Sequence, residues 1–199
     1  MKMILTATDC TTRLPVRCTE DRAGKIENRD SPPDPKGARG MNFAKENIIA
    51  GLTSKNDKYT CAFADRIIAE NREFDEWYDY FEAFASLLDH PKSLIRNRAL
   101  HILAANAQWD KENLFDAVLP AYLSHITDEN LITARQCIQS LAEIGAAKPQ
   151  YIPKILSALQ NVDLTTYRDS MRPLIEKDTA ETTAALQSSR HAMKGAYMS

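Results

Sequence analysis

Two stretches decide the fold, and each begins with an aspartate followed by an apolar helical pattern. Residues 89–106 read DHPKSLIRNRALHILAAN, and residues 128–145 read DENLITARQCIQSLAEIG. When the first is shifted by 39 residues, it matches the second at the aspartate, at the arginine seven residues later and along one apolar face. Two copies of one unit predict an internal repeat.

The repeat extends in both directions. A further shift of 37 residues carries Arg135 to Arg172, and a backward shift of 36 carries Ile95 to Tyr59. This period is longer than that of tetratricopeptide or ankyrin repeats and just under that of HEAT repeats. We therefore predict an all-α chain, a right-handed α-solenoid of about four HEAT-like helical hairpins, each covering the apolar face of the last.

Helical periodicity dominates the chain from Met41 onward, and no segment alternates with a period of two. The pattern predicts about eight helices joined by short loops. Aspartates at the predicted starts of several helices are expected to cap free backbone N–H groups. They are Asp89, Asp110, Asp128 and Asp163.

Composition divides the chain near Met41. All 15 aromatic residues lie from Phe43 onward, whereas residues 1–40 hold four of the nine prolines. We predict a disordered extension at 1–40, with natural translation starting at Met41, a repeat domain at 41–180 and a partly helical or disordered tail at 181–199. With no signal-peptide core and no membrane-length apolar run, a cytoplasmic protein without a membrane partner is expected.

Several stretches of the sequence resemble a known family. Asp89-His90-Pro91 followed by Ile95-Arg96 resembles the HEAT repeat pattern. Three further stretches are similar to small clostridial-type HEAT proteins often labelled "SufBD protein". They are Ile132 to Ile138, Asp169 to Asp178 and Asn106 to Asp110. That label implies a role in iron–sulfur assembly, although the scaffold subunits of that system have a β-helical fold.

Charged side chains at repeated positions predict a structural ladder. Arg96 follows Asp89 by seven residues, and Arg135 follows Asp128 by the same interval. HEAT arrays commonly pair such residues between adjacent repeats, and a partly shielded bidentate pair contributes more than an exposed one. Ligand contact by these arginines stays open as the alternative.

A second set of polar residues falls away from the apolar stripes. We predict that they line a concave groove that binds an anion or peptide, with an ordinary solvated face as the alternative. They are Arg98, His101, Gln136, Gln139, Arg168 and Arg172.

Two residues, Asn106 and Cys137, carry polar or reactive groups beside the apolar stripes. Asn106 lies in an apolar stripe and must hydrogen-bond a loop or the backbone. Cys137 stands near Arg135, which favours a thiolate, but its position borders the core and favours inert packing. The histidines and cysteines show no His-x-x-x-His or Cys-x-x-Cys spacing, so no metal or other cofactor is expected.

Trp109-Asp110 resembles a tryptophan and aspartate that hold and hydrolyse an alkylated nucleotide in HEAT-like DNA glycosylases. An N-cap at Asp110 and packing at Trp109 explain the two residues better, and no catalytic constellation is legible. The net charge of −2 gives no electrostatic reason to expect a nucleic-acid partner.

The sequence therefore favours a non-enzymatic interaction module that binds an unidentified protein or peptide on its concave face. One alternative is a nucleic-acid-acting protein of the HEAT-like alkylation-repair type. The other is an accessory factor in iron–sulfur cluster assembly.

Overall fold

Eight α-helices make up residues 44–196, the part of the chain that this computed structural model describes. No strand occurs among these residues, so the prediction of an all-α fold is confirmed. The predicted extension at 1–40 lies outside the described residues. The helices are α1 (Lys45–Thr53), α2 (Asp57–Glu70), α3 (Phe81–Ala85), α4 (Ser93–Asn106), α5 (Phe115–Ser124), α6 (Leu131–Ala147), α7 (Ile152–Gln160) and α8 (Arg172–Ala196).

Short 3-10 helices lead into or out of four of these elements. Glu76–Tyr80 precedes α3, Ala107–Trp109 follows α4, His125–Thr127 follows α5 and Pro149–Tyr151 precedes α7. The odd-numbered helices α1, α3 and α7 contact the even-numbered helices that follow them. The even-numbered helices also contact one another in chain order.

The two central helices, α4 and α6, run in the same direction. Thr133 Oγ1 donates to Ser93 O at 3.3 Å, near the start of both helices. Ser140 Oγ lies 3.4 Å from His101 Nδ1, two turns further along both. The residues in contact are separated by 40 and 39 positions, within one residue of the shift of 39 that aligned the two stretches of sequence.

The last helix, α8, runs parallel to α6. Arg135 Nε donates to Asp178 Oδ2 at 2.5 Å, and Thr182 Oγ1 donates to Ile138 O at 3.2 Å. The predicted domain boundary at residue 180 therefore falls inside a continuous helix. Leu186, six residues beyond that boundary, is completely buried.

Aromatic rings link the odd-numbered helices to the core. The ring of Phe81 packs edge-on against that of Phe115, with centroids 5.2 Å apart, and Phe115 lies beside Tyr122. All three side chains are buried. The buried Tyr122 hydroxyl donates to Leu100 O at 3.0 Å, so this ring also satisfies its polar group within the core.

Asparagine side chains cap α2 and α6, and at α6 the cap is Asn130 where Asp128 was predicted. Asn56 Oδ1 accepts the N–H of Tyr59 at the start of α2, and Asn130 Oδ1 accepts two N–H groups at the start of α6. Asp128 instead accepts the N–H of Asn130 at 2.9 Å. Asp89 is exposed, and the N-cap position of α4 is taken by Lys92 without a side-chain hydrogen bond.

Among the described residues, no helix combines the length and the apolar character needed to cross a bilayer.

Candidate partner-binding face

One side of α6 carries all its exposed positions in the spacing of a single helix face. Ile132, Gln136, Gln139, Glu143 and Ala146 follow one another at intervals of four, three, four and three residues. Each is exposed or half-buried, while the residues between them are largely buried. This ridge is the part of α6 that another molecule can contact.

The helices on either side of α6 present matching positions. On α4 the same intervals join Leu94, Arg98 and His101, and on α8 Leu174 and Lys177 are exposed. We call the surface formed by these ridges of α4, α6 and α8 the binding face. It lies across three parallel helices, so equivalent turns stand side by side.

Three large apolar side chains form a row at one end of the binding face. Leu94, Ile132 and Leu174 lie in the first turns of α4, α6 and α8, with 40%, 65% and 41% of their surfaces exposed. Packed helices lie about 8–10 Å apart, so the row places an apolar group at each such step. An exposed apolar surface of this kind is typical of an interaction site.

Sequence reasoning missed this row. A signal was present, because the helical pattern puts Leu94 and Ile132 on the polar side of their helices, away from the stripes that contain Ile95 and Ile138. Single exposed leucines are common, and only the parallel packing brings these together.

The guanidinium of Arg98 is buried on the α4 ridge. Only 8% of Arg98 is exposed, and its Nη2 donates to Asp57 O over a long 3.4 Å. Burial lowers the pKa of Arg98, while the charges of Asp57 and Asp65 act in the opposite direction. No carboxylate of the described residues lies within ion-pair distance of Arg98, so its donors are largely unused by side chains.

The other predicted groove residues on α4 and α6 share this face. His101 is half-buried against α6, and the backbone carbonyl of Gln136 accepts the Ser140 hydroxyl at 2.7 Å. Gln139 Nε2 donates to Asp178 Oδ1 at 2.9 Å, which ties the exposed Gln139 to α8. The structure thus brings four of the six predicted residues together.

Of the remaining two predicted residues, Arg168 lies in the segment before α8 and Arg172 is the first residue of that helix. Arg168 is exposed and makes no side-chain hydrogen bond or ion pair with any described residue. Arg172 Nε donates to Leu164 O at 3.1 Å and to Tyr167 O at 3.0 Å, and its Nη1 lies 3.0 Å from Asp169 Oδ1. Arg172 therefore holds the loop before its own helix.

The first rung of the predicted ladder joins α4 to the loop before α6. Arg96 Nε and Nη2 each donate to a different oxygen of Asp128 at 2.8 Å, and His125 Nδ1 lies 2.9 Å from Asp128 Oδ2. Burial acts to raise the pKa of Asp128, but the hydrogen bonds from Arg96, Asn130 and His125 hold it below its usual value. Both members of the Arg96–Asp128 pair are buried.

The second rung differs in its acidic partner. Arg135 binds Asp178 of α8, at 2.5 Å from Nε and 3.3 Å from Nη2, a residue that was not among the predicted ladder positions. Asp89 is exposed and forms no ion pair in the described part of the chain. The reason lies in the preceding repeat, where the position equivalent to Arg96 is Thr60.

In the Trp109-Asp110 pair, the Asp110 carboxylate is buried and hydrogen-bonded to several neighbouring groups. Asp110 is 1% exposed, and its carboxylate accepts the Tyr78 hydroxyl at 2.7 Å and the N–H groups of Leu114 and Phe115 at 2.8 and 3.3 Å. Lys148 Nζ lies 3.3 Å from Asp110 Oδ2. These contacts connect the 3-10 helix before α3, the start of α5 and the end of α6 through one carboxylate.

Two further residues prove to be parts of the core. Asn106 Nδ2 donates to Ile102 O, in its own helix, at 3.1 Å. Cys137 is a completely buried free thiol that lies 3.4 Å from Tyr122 O. Burial raises the pKa of Cys137 well above its ordinary value, opposite to the effect expected from Arg135.

Within residues 44–191, no group of three or more histidine, cysteine, aspartate or glutamate side chains is placed to hold a metal ion. Comparison with protein-family models, with curated proteins and with solved structures finds no match to this chain.

Proposed function

We propose that the chain is a non-enzymatic, HEAT-like interaction module that binds a protein or peptide on the binding face. In this proposal the four even-numbered helices are the inner helices of a right-handed solenoid of four hairpins. The parallel contacts of α4 with α6 and of α6 with α8 support that arrangement.

The apolar row carries the proposal. A large exposed apolar side chain recurs once per repeat in the first turn of neighbouring helices, at Leu94, Ile132 and Leu174. Each is unfavourable for solubility because it exposes apolar surface to water. Fully burying a leucine or isoleucine side chain contributes about 1.5–3 kcal/mol, and Ile132, with 65% of its surface exposed, retains most of that gain for a partner. Covering the row therefore contributes to the affinity for a partner.

The test compares two serine substitutions on the same ridge of α6. Ile132→Ser removes the centre of the row, whereas Ala146→Ser changes an exposed residue four turns away. Proteins captured from the source cells by tagged wild-type chain are quantified by mass spectrometry against both variants. We expect Ile132→Ser to reduce capture of specific proteins about fivefold or more, the loss that about 1–2 kcal/mol predicts for a side chain with 65% of its surface exposed.

The Ala146→Ser control tests whether a loss of capture is specific to the apolar row. Ala146→Ser should capture the same proteins as the wild type, and both variants should unfold at the wild-type temperature because both positions are exposed. Equal capture by wild type and Ile132→Ser would show that the row takes no part in binding. Capture no greater than that of the tag alone would remove the proposed function.

A further inference from the structure

The apolar row has a buried cation beside it. Arg98 follows Leu94 by one helical turn on the same ridge, and residues four apart on a helix have Cβ atoms about 5–6 Å apart. Its side chain extends toward α2, where Nη2 reaches Asp57 O. The binding face therefore offers an apolar group and a guanidinium within reach of one short segment of a partner.

Buried arginines are normally paired with a carboxylate in direct contact. Among the described residues, the buried Arg96 holds Asp128 and the half-buried Arg135 holds Asp178 through bidentate contacts. Arg98 departs from that pattern, with a single 3.4 Å bond to a backbone oxygen and no carboxylate within 4 Å among the described residues. The carboxylates of Asp57 and Asp65 influence Arg98 only through their charges.

The charged groups near the row are partly paired. The exposed acids Glu129 and Asp169 contact an arginine, Arg96 and Arg172, respectively, whereas the exposed Asp89 forms no ion pair with the described residues. The exposed cation Arg168 likewise makes no side-chain hydrogen bond or ion pair with them. The first turns of three helices also contribute their partial positive charge.

We propose that the binding face recognises an acidic, apolar segment of a partner protein, with apolar side chains over Leu94 and Ile132 and a carboxylate on the guanidinium of Arg98. The inference rests on the proposed function. A carboxylate is the ligand that a planar guanidinium binds through two parallel N–H···O bonds. Apolar contact supplies affinity in this arrangement, and Arg98 selects for the acid.

The test is a selection from a random library of displayed 16-residue peptides against the full chain. Relative to the starting library, peptides bound by the wild type should be enriched in Asp or Glu within four residues of a large apolar residue. Arg98→Gln should remove the enrichment in acids while the enrichment in apolar residues stays. Asp65→Asn should strengthen binding of the selected peptides, because it removes a carboxylate that competes for Arg98.

The outcomes separate this inference from the proposed function. Peptides that bind but show no enrichment in acids, or that are enriched in Lys and Arg, would overturn the acidic specificity and leave an interaction module. A wild type that enriches no peptide would overturn both. Because Arg98→Gln could perturb packing, its melting temperature is measured, and persistence of apolar enrichment shows that the face is intact. If Arg98→Gln unfolds, weaker binding by Asp65→Asn overturns the inference and stronger binding supports it.

Discussion

Arg96 binds Asp128 through two hydrogen bonds of 2.8 Å, and this buried pair fastens α4 to the loop that leads into α6. Arg96 Nη1 also donates to the carbonyls of His90 and Pro91, at 2.9 and 3.1 Å. One guanidinium thus holds the start of its own helix and the start of the next repeat. The stability of this joint depends on the charge of Asp128.

Replacing Asp128 by asparagine should destabilise the protein in a pH-dependent way. At pH 7 we expect a loss of about 3 kcal/mol, because Arg96 then lies buried without an opposite charge. The folded-state pKa of Asp128 lies below its unfolded value. Its contribution is therefore complete above the unfolded pKa of about 3.9 and is lost as pH falls through the folded value.

Urea unfolding of wild type and Asp128→Asn between pH 7 and pH 3 measures this dependence. The difference in unfolding free energy should shrink below about pH 4. Glu129→Gln is the matched control, since the Glu129 side chain is 82% exposed, and it should change stability little. A difference between wild type and Asp128→Asn that stays constant over this range would contradict the prediction.

Asp178 should hold α8 to α6. Asp178→Ala leaves Arg135 and Gln139 without their shared acceptor, and we expect a cost of about 2–3 kcal/mol. Hydrogen exchange should accelerate first in residues 172–191. Glu181→Ala serves as the control because Glu181 is exposed and forms a single long ion pair, 3.8 Å from Lys177 Nζ. The hydrogen exchange of this variant should match that of the wild type.

Gly145 has no room for a side chain. A Cβ at this position would lie 2.1 Å from Leu186 Cδ2 and 3.3 Å from Ile152 Cγ1. Gly145→Ala should therefore destabilise by about 1–3 kcal/mol, although alanine favours a helix by about 1 kcal/mol. In a double-mutant cycle with Leu186→Ala, the combined loss should fall short of the sum by at least about 0.5 kcal/mol. Additive losses would show that the two side chains do not collide.

Asp110 should contribute strongly to the stability of the fold. Asp110→Asn weakens contacts with Tyr78, Lys148 and two backbone N–H groups, and should cost about 3 kcal/mol because the site is buried. Thermal unfolding measures this loss. Asp163→Asn changes an exposed loop acid that bonds only Thr165 among the described residues, and its melting temperature should stay near that of the wild type.

The repeat in the sequence predicted which residues of α4 and α6 would face one another. The shift of 39 residues reappears in the contact between His101 and Ser140. Between α6 and α8 the prediction was less accurate, because Arg135 contacts Asp178, at a separation of 43, where the pattern had suggested 37. The irregular segment 161–171 lengthens that repeat, and no periodicity measures such an insertion.

Burial of polar residues could not be predicted from the sequence. The apolar stripe gave one buried face of α4, yet Arg96, Asn97 and Arg98 are also buried because α2, α3 and α6 all contact this helix. Helical periodicity describes one helix at a time. It is therefore silent on how many neighbours surround that helix, and the same limit concealed the row that contains Ile132.

The packing of α8 against α6 has a practical consequence for anyone shortening this protein. A fragment ending at Asn161 would retain Arg135 but lack Asp178, and it would present Ile138 and Gly145 to water where Thr182 and Leu186 had covered them. Such a fragment would expose an apolar surface with an unpaired arginine at its edge. We expect it to aggregate, so the C-terminal helix cannot be removed without loss of a well-behaved protein.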